Sequence, residues 1–207
     1  MRRSAVLVLL ATLTGCGDTP PPRLVPPPAG ADWRHAATPA DRARLRSWRA
    51  TWQRALADAR RTAPAEIAAQ GALFEPARGL DQPVPPVGQY ACRVFKLGAR
   101  RPGARDYVDY PPFACRVASD AAGTLRLEKL SGSQRPVGVI YQDNGLRAVF
   151  LGTLMLGDET RPFAYGRQPA RDLAAWLERI GPARWRLMLP QPAFESLLDV
   201  VELVPAG

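Results

Sequence analysis

The chain has 207 residues, of which 46% are hydrophobic; this suits one domain with a real core and excludes a disordered tail protein. Its 22 prolines and 17 glycines cluster at particular points, which excludes collagen and uniform low complexity. Lys and Arg number 28 against 19 Asp and Glu, a formal net charge of +9, and every basic residue except Lys96 and Lys129 is arginine. Such a skew is expected of a GC-rich genome rather than of a particular function. The charge favours polyanions through long-range attraction. No zinc-finger spacing, RNP-like aromatic run or helix-turn-helix is evident, so nucleic acid is not expected as a partner.

Residues 1–15 read as an export signal. Arg2 and Arg3 precede the apolar run Ala5–Leu13, which is shorter than the ~20 apolar residues of a spanning helix. Leu13-Thr14-Gly15-Cys16 resembles the bacterial lipoprotein lipobox. That resemblance implies cleavage before Cys16, lipid on its thiol and acylation of the new amino terminus. Several acyl chains anchor stably, each buried CH₂ adding ~0.8 kcal/mol. Gly17 rather than Asp follows, as in lipoproteins sorted to the outer membrane. The expected setting is the bacterial cell envelope, anchored to the outer membrane and facing the periplasm.

Residues 16–37 are expected to form the anchor and a stalk, since Pro20–Pro22 and Pro26–Pro28 favour an extended polyproline conformation. A helical segment follows over 38–82. Thr38, Pro39 and Asp41 give a cap, a first-position proline and a capping box. Leu45, Trp48, Trp52, Leu56 and Ala59 then recur at three and four, one apolar stripe. Its expected role is docking on the domain, with the arginines solvated, rather than lying on a membrane. A second short helix is predicted over about 64–70, stopped by Gly71.

Beyond Pro83-Val-Pro-Pro86 the period shifts towards two, and residues 83–207 read as a β-domain. Tyr90–Leu97 and Tyr110–Val117 alternate, as do Leu125–Leu127 and Val137–Tyr141. Asn144-Gly145 is a strong hairpin signal and predicts Tyr141 opposite Ala148 and Val139 opposite Phe150. Leu173, Trp176, Leu177 and Ile180 are spaced for a third helix starting near Pro169 and ended by Gly181-Pro182. Two late strands, Trp185–Leu189 and about 196–204, close the chain; the last is apolar on both faces.

Cys92 and Cys115 form an even pair in an exported chain, which predicts a disulfide. Antiparallel pairing with Cys92 opposite Cys115 sets apolar residues against each other throughout, Tyr90 with Val117 and Val94 with Phe113. Chemistry is less legible. His35 is the only histidine, and Trp33-Arg34-His35-Ala36 offers it no triad partner. Zinc needs several His or Cys ligands, so no metal and no cofactor is expected. Asp106 with Asp109, and Asp158 with Glu159, are the nearest approach to carboxylate pairs for acid–base work. Ser131–Arg135 is small and polar but lacks a phosphate-loop pattern.

Several segments together resemble the DUF4893 family, bacterial exported proteins of unknown function. They are Trp48 in its Arg/Ala-rich helix, Gly88–Gly98, Ser131–Pro136, Asn144–Thr153, Tyr165–Arg167, and Trp185–Pro205 with Glu195–Asp199. The resemblance spans roughly 33–205 and implies no reaction or catalytic residue. Gly88-Gln-Tyr90 after a helical lead-in also resembles the opening strand of calycin-type barrels, an analogy of fold alone. The expected fold is α+β: an N-terminal helical segment packed on an antiparallel, barrel-like sheet with one inserted helix. The expected function is non-enzymatic: binding of a small ligand or an envelope protein partner. Tyr141, Phe150 and Tyr165 would line such a site, with Arg135, Arg147 or Arg167 at its rim; the commoner alternative is that these aromatics only fill the barrel. The alternatives are an envelope protease inhibitor or assembly factor working through its surface, and a hydrolase using acidic residues.

Overall fold

The computed structural model describes residues 32–207. The expected signal peptide, Cys16 and the proline runs of residues 20–28 lie outside the described residues. Asp32 caps α1 (Trp33–Ala36) by accepting the Arg34 N–H. This turn falls in the stretch 16–37 expected as stalk, yet Trp33 is buried edge-on against Trp176, ring centroids 5.7 Å apart. The helix predicted from Thr38 is divided at Ser47 into α2 (Pro39–Arg46) and α3 (Trp48–Thr62). Thr38 Oγ1 accepts the Asp41 N–H, and Pro39 sits in the first turn. The other half of the capping box differs from expectation: the Tyr165 hydroxyl, not the Asp41 carboxylate, accepts the Thr38 N–H at 3.1 Å, and it donates in turn to Asp41. The predicted stripe Leu45, Trp48, Trp52, Leu56 and Ala59 is buried along its whole length. α4 (Pro64–Ala69) ends as predicted near Gly71, which leads into a 3₁₀ turn, Gly71–Phe74.

Nine strands follow: β1 (Gly88–Ala99), β2 (Tyr107–Asp109), β3 (Phe113–Ser119), β4 (Leu125–Lys129), β5 (Gln134–Gln142), β6 (Ala148–Leu156), β7 (Asp172–Gly181), β8 (Arg184–Pro190) and β9 (Ser196–Pro205). From β3 to β9 each pairs antiparallel with the next. β1 pairs with β3 on one side and β9 on the other, closing an eight-stranded barrel. β2 is extra and extends the β3 edge of β1. Closure leaves the barrel strands no long unpaired edge.

Three expectations need correction. The segment predicted as an inserted helix is strand β7. Leu173, Ala175 and Leu177 point into the barrel, while Ala174, Trp176 and Ile180 point out, under the N-terminal helices. A strand covered on both faces carries no period-two signal, and its apolar residues fell by chance at helical spacing. The 144–145 hairpin exists, but one residue out of the predicted register: Tyr141 faces Val149 and Val139 faces Leu151. The loop is longer than two residues because Asn144 Oδ1 accepts the N–H of both Leu146 and Arg147, at 2.9 Å. Cys92 and Cys115 are disulfide-bonded, Cα atoms 5.9 Å apart. They are diagonal neighbours, because β1 is set two residues away from the predicted pairing: Tyr90 faces Cys115 and Cys92 faces Phe113.

Alternation divides the sheet into two cores. Inside the barrel are Tyr90, the disulfide, Val117, Leu127, Phe150, Leu177 and Trp185 among others. Outside, Phe95, Leu97, Met188 and Val200 meet Trp52, Leu56 and Phe74 of the helical layer. Gly138 and Gly152 face each other across β5 and β6. A Cβ on either would stand under 3 Å from backbone and from the Phe150 ring, so the ring lies directly on the two glycines, where the sheet bends tightly.

Candidate functional site: the mouth of the barrel

The barrel is filled over only part of its length. Towards the end where β1 begins, the Tyr90 and Trp185 rings meet edge to face at 6.1 Å, and the Tyr90 hydroxyl donates to the Pro86 carbonyl at 2.6 Å. Towards the other end a cavity of about 370 Å³ opens to the surface. Val94, Leu154, Leu173, Leu189 and Val201 form its apolar walls, one side chain each from β1, β6, β7, β8 and β9. All are inward-facing positions of their strands.

Near the opening the polar side chains Lys96, Lys129, Ser133, Gln134, Arg171, Glu195 and Asp199 stand among Phe113, Pro192 and Phe194. The only two lysines of the chain therefore line one cavity, and each is less than a tenth exposed. Lys96 on β1 faces Asp199 on β9 in register. Its Nζ lies 3.2 Å from Asp199 Oδ2, 3.1 Å from Glu195 Oε2 and 3.4 Å from Gln134 Oε1. Burial opposes the Lys96 charge, but the two carboxylates outweigh it and its pKa is raised. Burial also pushes the Asp199 carboxyl up, against the pull of Lys96 and of the Ser196 hydroxyl that donates to it.

Lys129 is held differently. Its Nζ donates to the carbonyls of Ser131 at 2.8 Å and Gln134 at 2.9 Å and stands 3.6 Å from the Phe113 ring centroid. Among the described residues it forms no salt bridge. Gly132 makes this cage fit: its φ is +87°, and a Cβ there would meet Lys129 Nζ at 2.8 Å and the Phe113 ring at 3.0 Å. Burial, then repulsion from Arg135 and Lys96, brings the Lys129 pKa down to about 8.

Of the six residues expected at a ligand, none lines this cavity. Phe150 is inside the barrel but lies on the glycine pair. Tyr141 faces outward beneath Trp33 and Leu45. Arg147 is also outside, with Nε 2.6 Å from Glu178 Oε1 and its guanidinium over the Trp48 ring. Arg135, one residue from the lining Gln134 and Pro136, points away and donates to the Glu159 carbonyl at 2.6 Å. Tyr165 binds Thr38 and Asp41, and Arg167 is exposed. The one-residue hairpin shift accounts for Tyr141, since it turns every side chain of a strand to the opposite face.

The acidic candidates serve loops and ion pairs. Asp106 accepts the Ala99 N–H, Asp109 pairs with Arg93, and Glu159 receives Arg171 and the Leu156 N–H. Asp158 and His35 are exposed. The 131–135 loop, by contrast, lies at the site, through its carbonyls and Gly132. What the sequence did offer was composition alone: two lysines beside 26 arginines.

Residues 33–203 match the family model described as a domain of unknown function, DUF4893. No curated protein and no solved structure matches the chain.

Proposed function

The chain belongs to the DUF4893 family, and we propose that this member is an envelope lipoprotein whose barrel mouth binds one small, largely apolar molecule. The observation that carries the reading is the half-filled barrel. A cavity of about 370 Å³ falls within the roughly 300–1,000 Å³ of small-molecule sites. Its apolar walls and polar opening suit an amphiphile that enters body first. A barrel needed only as a scaffold would be closed by side chains at both ends. In this reading Cys16 carries the lipid anchor, and the proline-rich segment after it is the stalk.

Titration calorimetry with 1-decanol tests the binding. The full chain carrying Cys16→Ala should bind it saturably at one site. Val94→Trp, which fills the cavity from β1, should abolish the heat of binding while thermal unfolding stays cooperative. Absence of saturable binding to the unfilled barrel would overturn the reading. The anchor is tested separately: Cys16→Ala should release the protein from membranes and end incorporation of labelled palmitate. Label that persists on that variant would contradict it.

A further inference from the structure

We infer that the molecule bound in the mouth carries a single negative charge, a carboxylate at the end of an aliphatic body, lodged beside Lys129. The inference rests on the ligand-binding reading above and adds the sign and place of the ligand's charge. It follows from how the charges of the cavity are matched.

Lys96 and Asp199 neutralise each other across β1 and β9, and Asp199 is further held by Ser196. Glu195 also pairs with Lys96, at 3.1 Å, from a side chain that is 56% exposed. Arg171 is spent on Glu159. Lys129 alone has no carboxylate partner among the described residues, and it is 6% exposed. Two carbonyls and the Phe113 ring orient its ammonium and leave its net charge in place. Arg135 stands behind it on the outer side of the sheet and adds to the positive potential. A buried cation left this way costs stability unless an anion joins it. Lys129 lines the cavity, so an anion bound there can join it.

The identity of the residue agrees. In a chain with 26 arginines, a lysine stands in a cage that Gly132 closes at φ +87°, where a Cβ would press on the Lys129 ammonium and the Phe113 ring. The ammonium is a compact point charge with three donors, where a guanidinium is larger and planar. The apolar walls lie deeper than the lysine, so a ligand must present its charge at the opening and its hydrocarbon below. This is the polarity of a fatty acid, and it is opposite in charge to a long-chain amine.

The test is a series of one chain length on the Cys16→Ala protein near neutral pH: decanoate, 1-decanol and decylamine, each by calorimetry. Decanoate should bind at least tenfold more tightly than decanol, and decylamine more weakly than either. In Lys129→Met the decanoate advantage should vanish while decanol binding is unchanged. Equal affinities for acid and alcohol, or tightest binding of the amine, would overturn the inference and leave the ligand-binding reading standing. An unchanged preference in Lys129→Met would overturn the place given to the charge. If none of the three binds, both the inference and the reading beneath it fail. Should Lys129→Met not fold, the ranking of the three compounds by the unmodified barrel still decides the sign.

Discussion

Lys129 sits between two states at ordinary pH, and this gives the site a testable signature. Its pKa is about 8, so the ammonium prevails near neutrality and the neutral amine above. The groups around it do not reverse this. Phe113 and the Ser131 and Gln134 carbonyls carry no charge, Arg135 and Lys96 are cations that repel it, Lys96 with its own pKa raised, and Asp199 and Glu195 are turned to Lys96. A carboxylate ligand is ionised throughout, so only the lysine changes. Decanoate affinity is therefore predicted to fall as pH rises from about 7 to about 9.5, while 1-decanol affinity stays level. A parallel response of the two would remove Lys129 from the site. Little of this was legible in the sequence, because inward placement and the lack of a partner depend on the neighbours of a strand. Only the rarity of lysine stood out beforehand.

At the scale of elements, the helical layer is fixed to the barrel by a charge placed in the middle of β7. Glu178 is buried, and Oε2 receives Arg186 Nε at 3.1 Å and Nη2 at 2.7 Å, while Oε1 receives Arg147. Arg186 is fully buried and reaches beyond the sheet to the Leu73 carbonyl at 2.7 Å and the Ala72 carbonyl at 3.2 Å. β8 and the 3₁₀ turn are thus joined through one guanidinium. Removing the carboxylate would leave Arg186 buried and unpaired. Glu178→Ala is predicted to cost about 3–5 kcal/mol in urea unfolding, and Glu178→Gln, which keeps one acceptor, less. A cost under about 1 kcal/mol for the alanine variant would mean the pair is exposed in solution. The caps and the apolar stripe of the helices were readable because they are local patterns. β7 was not, because burial on both faces erased its alternation and a buried Glu178 in a strand resembles the polar side of a helix. The hairpin at 144–145 was readable as a turn, but its register depended on Asn144 bonding two backbone amides rather than one.

On the scale of the whole molecule, alternating strands, the late strand apolar on both faces and the cysteine pair together implied a barrel with a disulfide. The seam could not be read directly, because β1 and β9 lie at opposite ends of the domain and their pairing is a property of the closed sheet. The seam also shapes the mouth: it sets Lys96 opposite Asp199, while Lys129 on β4 has no carboxylate partner among the described residues. One end of the barrel is packed around the disulfide, the Gly138–Gly152 crossing and the Tyr90–Trp185 pair, and the rest stays open. The most direct measurement is a crystal structure of the Cys16→Ala protein grown with decanoate. The account predicts a chain of density along Val94, Leu173 and Val201, ending in a carboxylate within ~6 Å of Lys129 Nζ. An empty mouth with decanoate bound elsewhere, or a mouth closed by its own side chains, would contradict it.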